Sequence, residues 1–304
     1  MKKFVISLVS ILMLTLVSAP LFTGCASDAY KLSYIESGSD SHDIITWNDV
    51  EMFYESEMIA SEFYKDEKKP ATKSVTLFGK EYLLDYLDSV LYSESKYDVD
   101  SYDYDKDGTT GGIRFQKDTD IISSVDFSSP NQKPLVEFDR DIKYGDEGYD
   151  EYVIEFARKH VKEIRDLDKY EPVVSESYVT FYKVVNGYKT DSHVIVFFRY
   201  LQKGMEGPSG IDRFYLRDIY DEDMKIFEKA KVDKKKLQAA IDEAKENIKY
   251  NDSMYDSVEI KTDIVLKSEK GELYAYVTFT PIAADRSSGE KQTQYPLEVM
   301  IKIA

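Results

Sequence analysis

Cysteine is almost absent from this chain, since its 304 residues contain only Cys25. A lone cysteine cannot form an intrachain disulfide, so the fold has to be stabilised by a hydrophobic core and not by covalent crosslinks. At this length a core of sufficient size is feasible, and one or two domains are expected. Small disulfide-bonded scaffolds are therefore excluded as a class.

Residue patterns that carry catalysis are also scarce. The three histidines, His42, His160 and His193, form no His-Glu-x-x-His zinc motif. The chain has no Gly-rich phosphate loop, and Gly207-Pro208-Ser209-Gly210 lacks the spacing of a serine-hydrolase nucleophile elbow. These absences predict a protein that is not an enzyme and that needs no cofactor.

Positive charge is in short supply, because 40 Lys and Arg residues face 57 Asp and Glu residues and leave a formal net charge of −17. An acidic chain is repelled by phosphate backbones and by anionic surfaces, which argues against nucleic acid and anionic lipid surfaces as partners. The charge is typical of a soluble extracellular domain, and it also suits a protein that binds a cation or a basic ligand.

The first 25 residues have the layout of an export signal. Lys2 and Lys3 precede an apolar run from Phe4 to Val17, and Pro20 follows it. This run is shorter than the roughly 17 to 25 residues that a membrane-spanning helix needs, which favours a cleaved signal peptide over 1–24. Two alternatives remain: cleavage after Ala19 with Cys25 as a free thiol, and an uncleaved N-terminal anchor.

The end of this signal, Phe22-Thr23-Gly24-Cys25, resembles the lipobox of bacterial lipoproteins of the Gram-positive type. The resemblance implies that Cys25 is alkylated by a diacylglyceryl group and becomes the N-terminus after cleavage. It further implies a surface protein that is attached to the cell membrane through lipid on the extracellular face.

The next segments predict a spacer and then a first folded module. Residues 25–45 are rich in Ser, Asp and Gly, which predicts a flexible tether. Within 46–145, Thr46-Trp47-Asn48-Asp49 is a candidate cap for a helix that ends near Tyr64, and strand-like runs follow from Ser74 onward. We therefore expect an N-terminal α+β module, mostly β, over 46–145.

The remainder, 146–304, predicts a C-terminal α+β domain of two helix-plus-sheet units, 146–230 and 231–304. In the first unit, an amphipathic helix begins near Tyr149, and a turn is predicted at Asn186-Gly187. In the second, Asp233 caps a helix whose apolar stripe includes Leu237 and Ile241. Alternating runs after each helix predict three-stranded antiparallel sheets, and hence repeated units of one helix on one sheet.

This order resembles the PepSY-like modules of uncharacterised Gram-positive surface lipoproteins, whose sheets are cystatin-like. The resemblance rests on the helix-then-three-strand units, on Ser74 to Phe127 with its Gly79-Lys80 and Asp107-Gly108 turns, and on the lead into a helix at Lys231 to Leu237. It implies a peptide-binding or inhibitory role and assigns that role to no particular residue.

One segment has the spacing of a calcium loop. Asp103, Asp105 and Asp107 stand at the first, third and fifth positions, followed by Gly108, but Arg114 occupies the place of the bidentate acid. The alternative is a β-hairpin whose tip is Lys106-Asp107-Gly108.

These observations lead to three functional hypotheses. The first is a non-enzymatic, lipid-anchored protein that binds a peptide or a protein at the cell surface. The alternative is an extracellular protein that binds a cation or a basic small ligand, and the third is a cell-envelope hydrolase whose acids are assembled from distant segments.

Overall fold

A computed structural model describes residues 30–35, 45–47, 52–53, 62–91, 98–129, 132–162, 164–199, 209–217, 221–250, 255–269 and 271–303. Cys25 and the predicted signal peptide lie outside these residues. No helix within the described ranges is long and apolar enough to cross a membrane.

Strands dominate the described structure. Before residue 140 they are β1 (Lys31–Ile35), β2 (Ile45–Trp47), β3 (Met52–Phe53), β4 (Glu62–Tyr64), β5 (Thr72–Leu77), β6 (Lys80–Leu91), β7 (Val99–Lys106), β8 (Thr109–Gln116), β9 (Ile122–Asp126) and β10 (Val136–Glu137). Then follow helix α1 (Tyr149–Val161), a 3₁₀ turn (Leu167–Lys169), β11 (Tyr170–Val174), β12 (Tyr178–Val185), β13 (Tyr188–Arg199) and β14 (Gly210–Arg217). The last part contains α2 (Asp221–Lys229), α3 (Lys234–Glu246), β15 (Ile248–Tyr250), β16 (Tyr255–Glu269), β17 (Glu272–Asp285), β18 (Lys291–Thr293) and β19 (Leu297–Lys302).

Seventeen of these strands are connected by one network of pairings, and β2 pairs separately with β15. One arm of the network runs β5–β6–β7–β8–β9–β14–β13–β12–β11, all antiparallel. The other runs β16–β17–β19–β1–β3. A short parallel contact, Lys189 with Val265 and Thr190 with Leu266, joins β13 to β16 and so connects the arms.

Each arm covers its own hydrophobic core. In the first core, α1 lies against strands of the first arm, with Val153 and Ala157 completely buried among residues such as Phe181 and Phe214. In the second, α2 and α3 pack on the other arm, and Trp47 and Tyr34 from the N-terminal part join them. Burial of one face of each helix explains why both helix stripes were readable in the sequence.

The tip of the β12–β13 hairpin links the first arm to the second core. Asn186 and Gly187 both have positive φ, 55° and 83°, as a tight two-residue turn requires. The Asn186 side chain donates hydrogen bonds to the carbonyl oxygens of Phe227 and Ala230 at the end of α2, at 3.1 and 3.4 Å. The predicted turn is confirmed, and it also caps a helix of the other core.

The predicted fold class, α+β made of repeated units of one helix and a three-stranded sheet, is wrong. The protein is mostly β, because strands from the expected units pair with one another instead of staying in separate sheets. β9 of the predicted first module pairs with β14, and β13 pairs with β16. Unpaired backbone groups at a strand edge favour such additions, and the periodicity of a strand does not say which edge it will join.

The helix predicted from Thr46 to Tyr64 is also wrong where the structure describes it. Residues 45–47, 52–53 and 62–64 are strands β2, β3 and β4. Pairing with β15, β1 and β6 overrides a helical spacing that had no strong local support. In the segment expected to be a flexible tether, Lys31–Ile35 forms β1 between β19 and β3. The predicted domain boundaries stay predictions.

Candidate functional site

Polar residues cross the first arm of the sheet on the face opposite the first core. One row follows the strand register through Asp88, Ser101, Arg114, Ser124 and Tyr215. The neighbouring row contains Asp103, Gly112, Asp126 and Arg213. Side chains alternate between the two faces of a sheet, so these residues share the outer face while their sequence neighbours fill the core.

Gly112 leaves a gap in the middle of the second row. Asp103 on β7 and Asp126 on β9 both pair with this glycine, so no side chain stands between them. The gap belongs to a cavity of about 180 Å³. We call this cavity the acidic hollow; it is lined by Phe63, Leu87, Asp88, Ser101, Tyr102, Asp103, Gly112, Ile113, Arg114, Ser124, Asp126 and Tyr215.

Two carboxylates of the acidic hollow repel each other. Partial burial raises the pKa of Asp103, and the nearby charge of Asp88 raises that pKa further. Arg114 and Lys65 act in the opposite direction without cancelling the effect. A raised pKa means that the ionised form of Asp103 lacks adequate stabilisation in the protein. A cation placed beside it would supply that stabilisation.

Asp126, by contrast, is fully engaged. Burial acts to raise its pKa, but hydrogen bonds to its carboxylate outweigh burial and hold the pKa below the usual range. Ser128 donates to Oδ1 from both its backbone N–H, at 3.0 Å, and its hydroxyl, at 2.6 Å. Tyr215 donates to Oδ2 at 3.0 Å. With both oxygens bonded, Asp126 contributes fixed negative charge to the hollow.

Two polar atoms in the lining are buried without a hydrogen-bond partner among the described residues: Asp88 Oδ1 and Ser101 Oγ. Ser101 is only 5% exposed, so bulk solvent does not replace the missing partner. Buried polar atoms are normally satisfied, so each of these two atoms needs a partner that the described residues do not supply. Ser101 and Asp88 lie opposite each other in the β6–β7 register.

No protein-family model matches this chain, and no curated protein and no solved structure is similar to it.

The structure disperses the three aspartates of the predicted calcium loop. Asp103 lines the acidic hollow, Asp105 is exposed further along the same strand, and Asp107 occupies the hairpin tip with φ 54°. Lys106 pairs with Thr109 across that tip, so the hairpin alternative is confirmed. Among the described residues no group of three or more His, Cys, Asp or Glu side chains is placed to hold a metal ion. Calcium binding by these aspartates stays a prediction.

Sequence reasoning missed Asp88, Asp126 and Tyr215 as partners of Asp103. A signal for them was present, because Asp and Ser alternate with apolar residues in β7 and β9, but alternation alone identifies a face and not its neighbours. The apolar residues at the border of the hollow were missed for the same reason. Phe63 and Leu87 line the hollow with side chains that are 63% and 42% exposed, and they give it an apolar border.

Proposed function

We propose that this chain is a non-enzymatic, lipid-anchored protein of the extracellular face of the membrane, and that its acidic hollow binds the positively charged group of a basic peptide. The observation that carries the proposal is that Asp88, Ser101 and Asp103 line one hollow, where the charge of Asp88 raises the pKa of Asp103 and where Asp88 Oδ1 and Ser101 Oγ lack partners among the described residues. An ammonium or guanidinium group donates hydrogen bonds and relieves the repulsion between the carboxylates.

The size of the hollow favours one side chain over a complete small molecule. Its volume of about 180 Å³ is below the roughly 300 to 1,000 Å³ of pockets that enclose drug-sized ligands. The exposed Phe63 and Leu87 beside it are suited to an apolar neighbour of the basic residue. A peptide that carries Lys or Arg next to an apolar residue meets both conditions, and the net charge of −17 would draw such a peptide to the protein.

Binding is favoured over hydrolysis because of Asp126. A hydrolytic carboxylate pair needs one member that is free to activate water or attack the substrate. Both oxygens of Asp126 accept hydrogen bonds from Ser128 and Tyr215, which ties that carboxylate to the scaffold. The alternative of a bare metal cation is less favoured, because only Asp103 of the predicted trio lines the hollow.

The binding proposal is tested by calorimetric titration of the processed protein with the N-acetyl amides of lysine, arginine and norleucine. Norleucine amide has the four side-chain carbons of lysine without its charged amino group. We expect binding of the basic amides only, weakened at high salt and reduced at least about tenfold in Asp103→Asn and in Asp88→Asn, as loss of a partially buried charge pair predicts. Asp105→Asn is the matched control, since Asp105 lies on the same strand but outside the hollow. Equal binding of norleucine amide, or unchanged binding by both hollow variants, would contradict the proposal.

The anchor is tested separately by intact mass measurement and metabolic labelling with palmitate. We expect the mature chain to begin at Cys25 with a diacylglyceryl adduct, and Cys25→Ala to remove both the label and the cleavage. A mature chain that begins after Ala19 would instead support the ordinary signal peptide.

A further inference from the structure

A group of lysines interrupts the otherwise acidic chain. Residues 229–236 contain five lysines and a single acid, Asp233, although the whole chain has a net charge of −17. Three of these lysines, Lys234, Lys235 and Lys236, open helix α3, whose first turn holds no acidic residue. Cations at a helix N-terminus oppose the helix dipole and cost stability, so helix formation does not explain this choice of residues.

The one acid of this segment does not neutralise the lysines by pairing with them. Asp233 accepts hydrogen bonds from the backbone N–H groups of Lys235 and Lys236, at 3.0 and 3.2 Å, and so caps the helix. The side chains of Lys231, Lys234 and Lys235 are exposed. In the ranges that the structure describes, no carboxylate lies within ion-pair distance of these three lysines.

The N-terminal end of the described chain lies next to the same lysines. The hydroxyl of Tyr30 accepts a hydrogen bond from the backbone N–H of Asp233 at 3.2 Å. Lys234 lies 5.9 Å from the ring of Tyr188, which is close enough to Tyr30 for their phenols to interact electrostatically. Tyr30 and Leu32 pack against the second core, which contains α3, so Lys31 between them lies on the other face of β1, opposite Lys302 in the β1–β19 register.

The anchor residue is close in sequence to this point. Cys25 precedes Lys31 by six residues, which span at most about 20 Å when fully extended. Lipid attached at Cys25 would therefore hold this end of the protein within about 20 Å of the headgroups of the membrane. Near an anionic surface each lysine contributes attraction that decays over a Debye length of about 8 Å.

From the contact between Tyr30 and the start of α3, we propose that Lys231, Lys234 and Lys235 form a basic docking surface for the anionic headgroups of the membrane that holds the lipid anchor. This inference rests on the lipid anchor of the proposed function. The surface would fix the orientation of the protein on the membrane, because lipid alone leaves the protein free to rotate about a short connection.

The test uses the processed, full mature protein reconstituted into vesicles of phosphatidylcholine with and without phosphatidylglycerol. The acetylation rate of every lysine is measured by mass spectrometry at low and high salt. We expect Lys231, Lys234 and Lys235 to react about fivefold more slowly on the anionic vesicles, with the difference lost at high salt. The exposed Lys68, Lys133 and Lys162 serve as internal controls that should react equally on both.

A charge variant sharpens the test. In the double variant Lys231→Gln, Lys234→Gln, the protection of the remaining Lys235 should disappear. The matched double variant Lys68→Gln, Lys133→Gln carries the same change in net charge and should keep that protection. Equal reaction rates of Lys235 in the unmodified chain on both vesicle types, with the lipid adduct confirmed by intact mass, would overturn the docking surface alone. A mature protein without the adduct would overturn the anchor and the docking surface together, whereas protection by a soluble anionic polymer but not by vesicles would overturn the membrane as partner.

Discussion

Asp103 and Gly112 lie directly opposite each other in the β7–β8 ladder, and a Cβ atom built on Gly112 would lie 3.3 Å from Asp103 Oδ1. The absence of a side chain at one strand position therefore opens the acidic hollow beside the carboxylate. Because the φ of Gly112 is not positive, backbone conformation alone does not demand glycine there.

Gly112→Val should therefore close the hollow without unfolding the protein. We expect binding of N-acetyl-lysine amide to fall at least about tenfold, while the melting temperature is kept or raised, since valine favours strands. Gly108→Ala is the opposite case, because Gly108 has φ 74° in the hairpin tip. That variant should lose about 1 kcal/mol of stability and keep its binding. Calorimetry and thermal denaturation of both variants check this, and full binding by Gly112→Val would refute the role of the hollow.

A buried ion pair stabilises the edge of the first arm. Lys69 Nζ donates to Asp100 and also to Asp118 at 2.7 Å, and the side chains of Lys69 and Asp100 are only 8% and 5% exposed. Asp100→Asn should cost about 3 kcal/mol in the free energy of unfolding, because it leaves a buried cation without its main partner. Asp118→Asn, at a 74% exposed carboxylate, should cost under about 1 kcal/mol. Urea denaturation at neutral pH measures both, and equal losses would contradict the assignment.

The same pair predicts a pH dependence. Burial alone would raise the pKa of Asp100, but the hydrogen bonds from Lys69 and Ser89 outweigh it and lower the pKa. A carboxylate with a lowered pKa stabilises the fold above its unfolded pKa of about 3.9, and this contribution disappears as the pH falls through the folded value. Wild type and Asp100→Asn should therefore converge in stability under strongly acidic conditions. A difference in the free energy of unfolding between the two proteins that stays constant as the pH falls would contradict this prediction.

His193 should destabilise the protein in mild acid. Burial, assisted by the charges of Arg217 and Lys267, lowers its pKa to about 4, while Asp191 opposes the shift with a backbone carbonyl 2.9 Å from Nδ1. Between about pH 6.5 and 4, His193 is protonated in the unfolded chain but stays neutral in the folded chain. The free energy of unfolding therefore falls as the pH is lowered through this window. His193→Gln should flatten the stability profile in that window. Denaturant unfolding at several pH values measures this dependence. If the free energy of unfolding of His193→Gln changes with pH as steeply as that of wild type, the assignment of a buried neutral histidine is contradicted.

Asn186 should couple the hairpin tip to helix α2. Asn186→Gly retains the positive φ but removes the hydrogen bonds to Phe227 and Ala230, so we expect a loss of about 1 kcal/mol. Asn186→Ala should lose more stability, because alanine is also strained in the left-handed conformation of this position. Amide hydrogen exchange should be faster in the variants than in wild type in α2 as well as in β12 and β13. Faster exchange confined to the hairpin would contradict the coupling.

Local features of the fold were readable from the sequence because they depend on neighbours along the chain. The amphipathic helix from Tyr149, the Asp233 cap and the turns at Asn186-Gly187 and Asp107-Gly108 are all confirmed. The helix expected near Thr46 failed because strand pairing with β15 and β1, from distant parts of the chain, decides that segment. The repeated-unit fold failed for the same reason at β9 and β14.

The sequence by itself determined which positions are apolar, which helices have one buried face, and that the whole chain is acidic. Only the tertiary structure decided which strands are neighbours, because a period of two specifies the faces of a strand and not its partners. The acidic hollow exists because the register places Asp103 and Asp126 on either side of Gly112 and Asp88 opposite Ser101 in the neighbouring row. In the same way, a net charge of −17 is a sum over all residues, and only the contact between Tyr30 and Asp233 places Tyr30 beside the lysines that open α3.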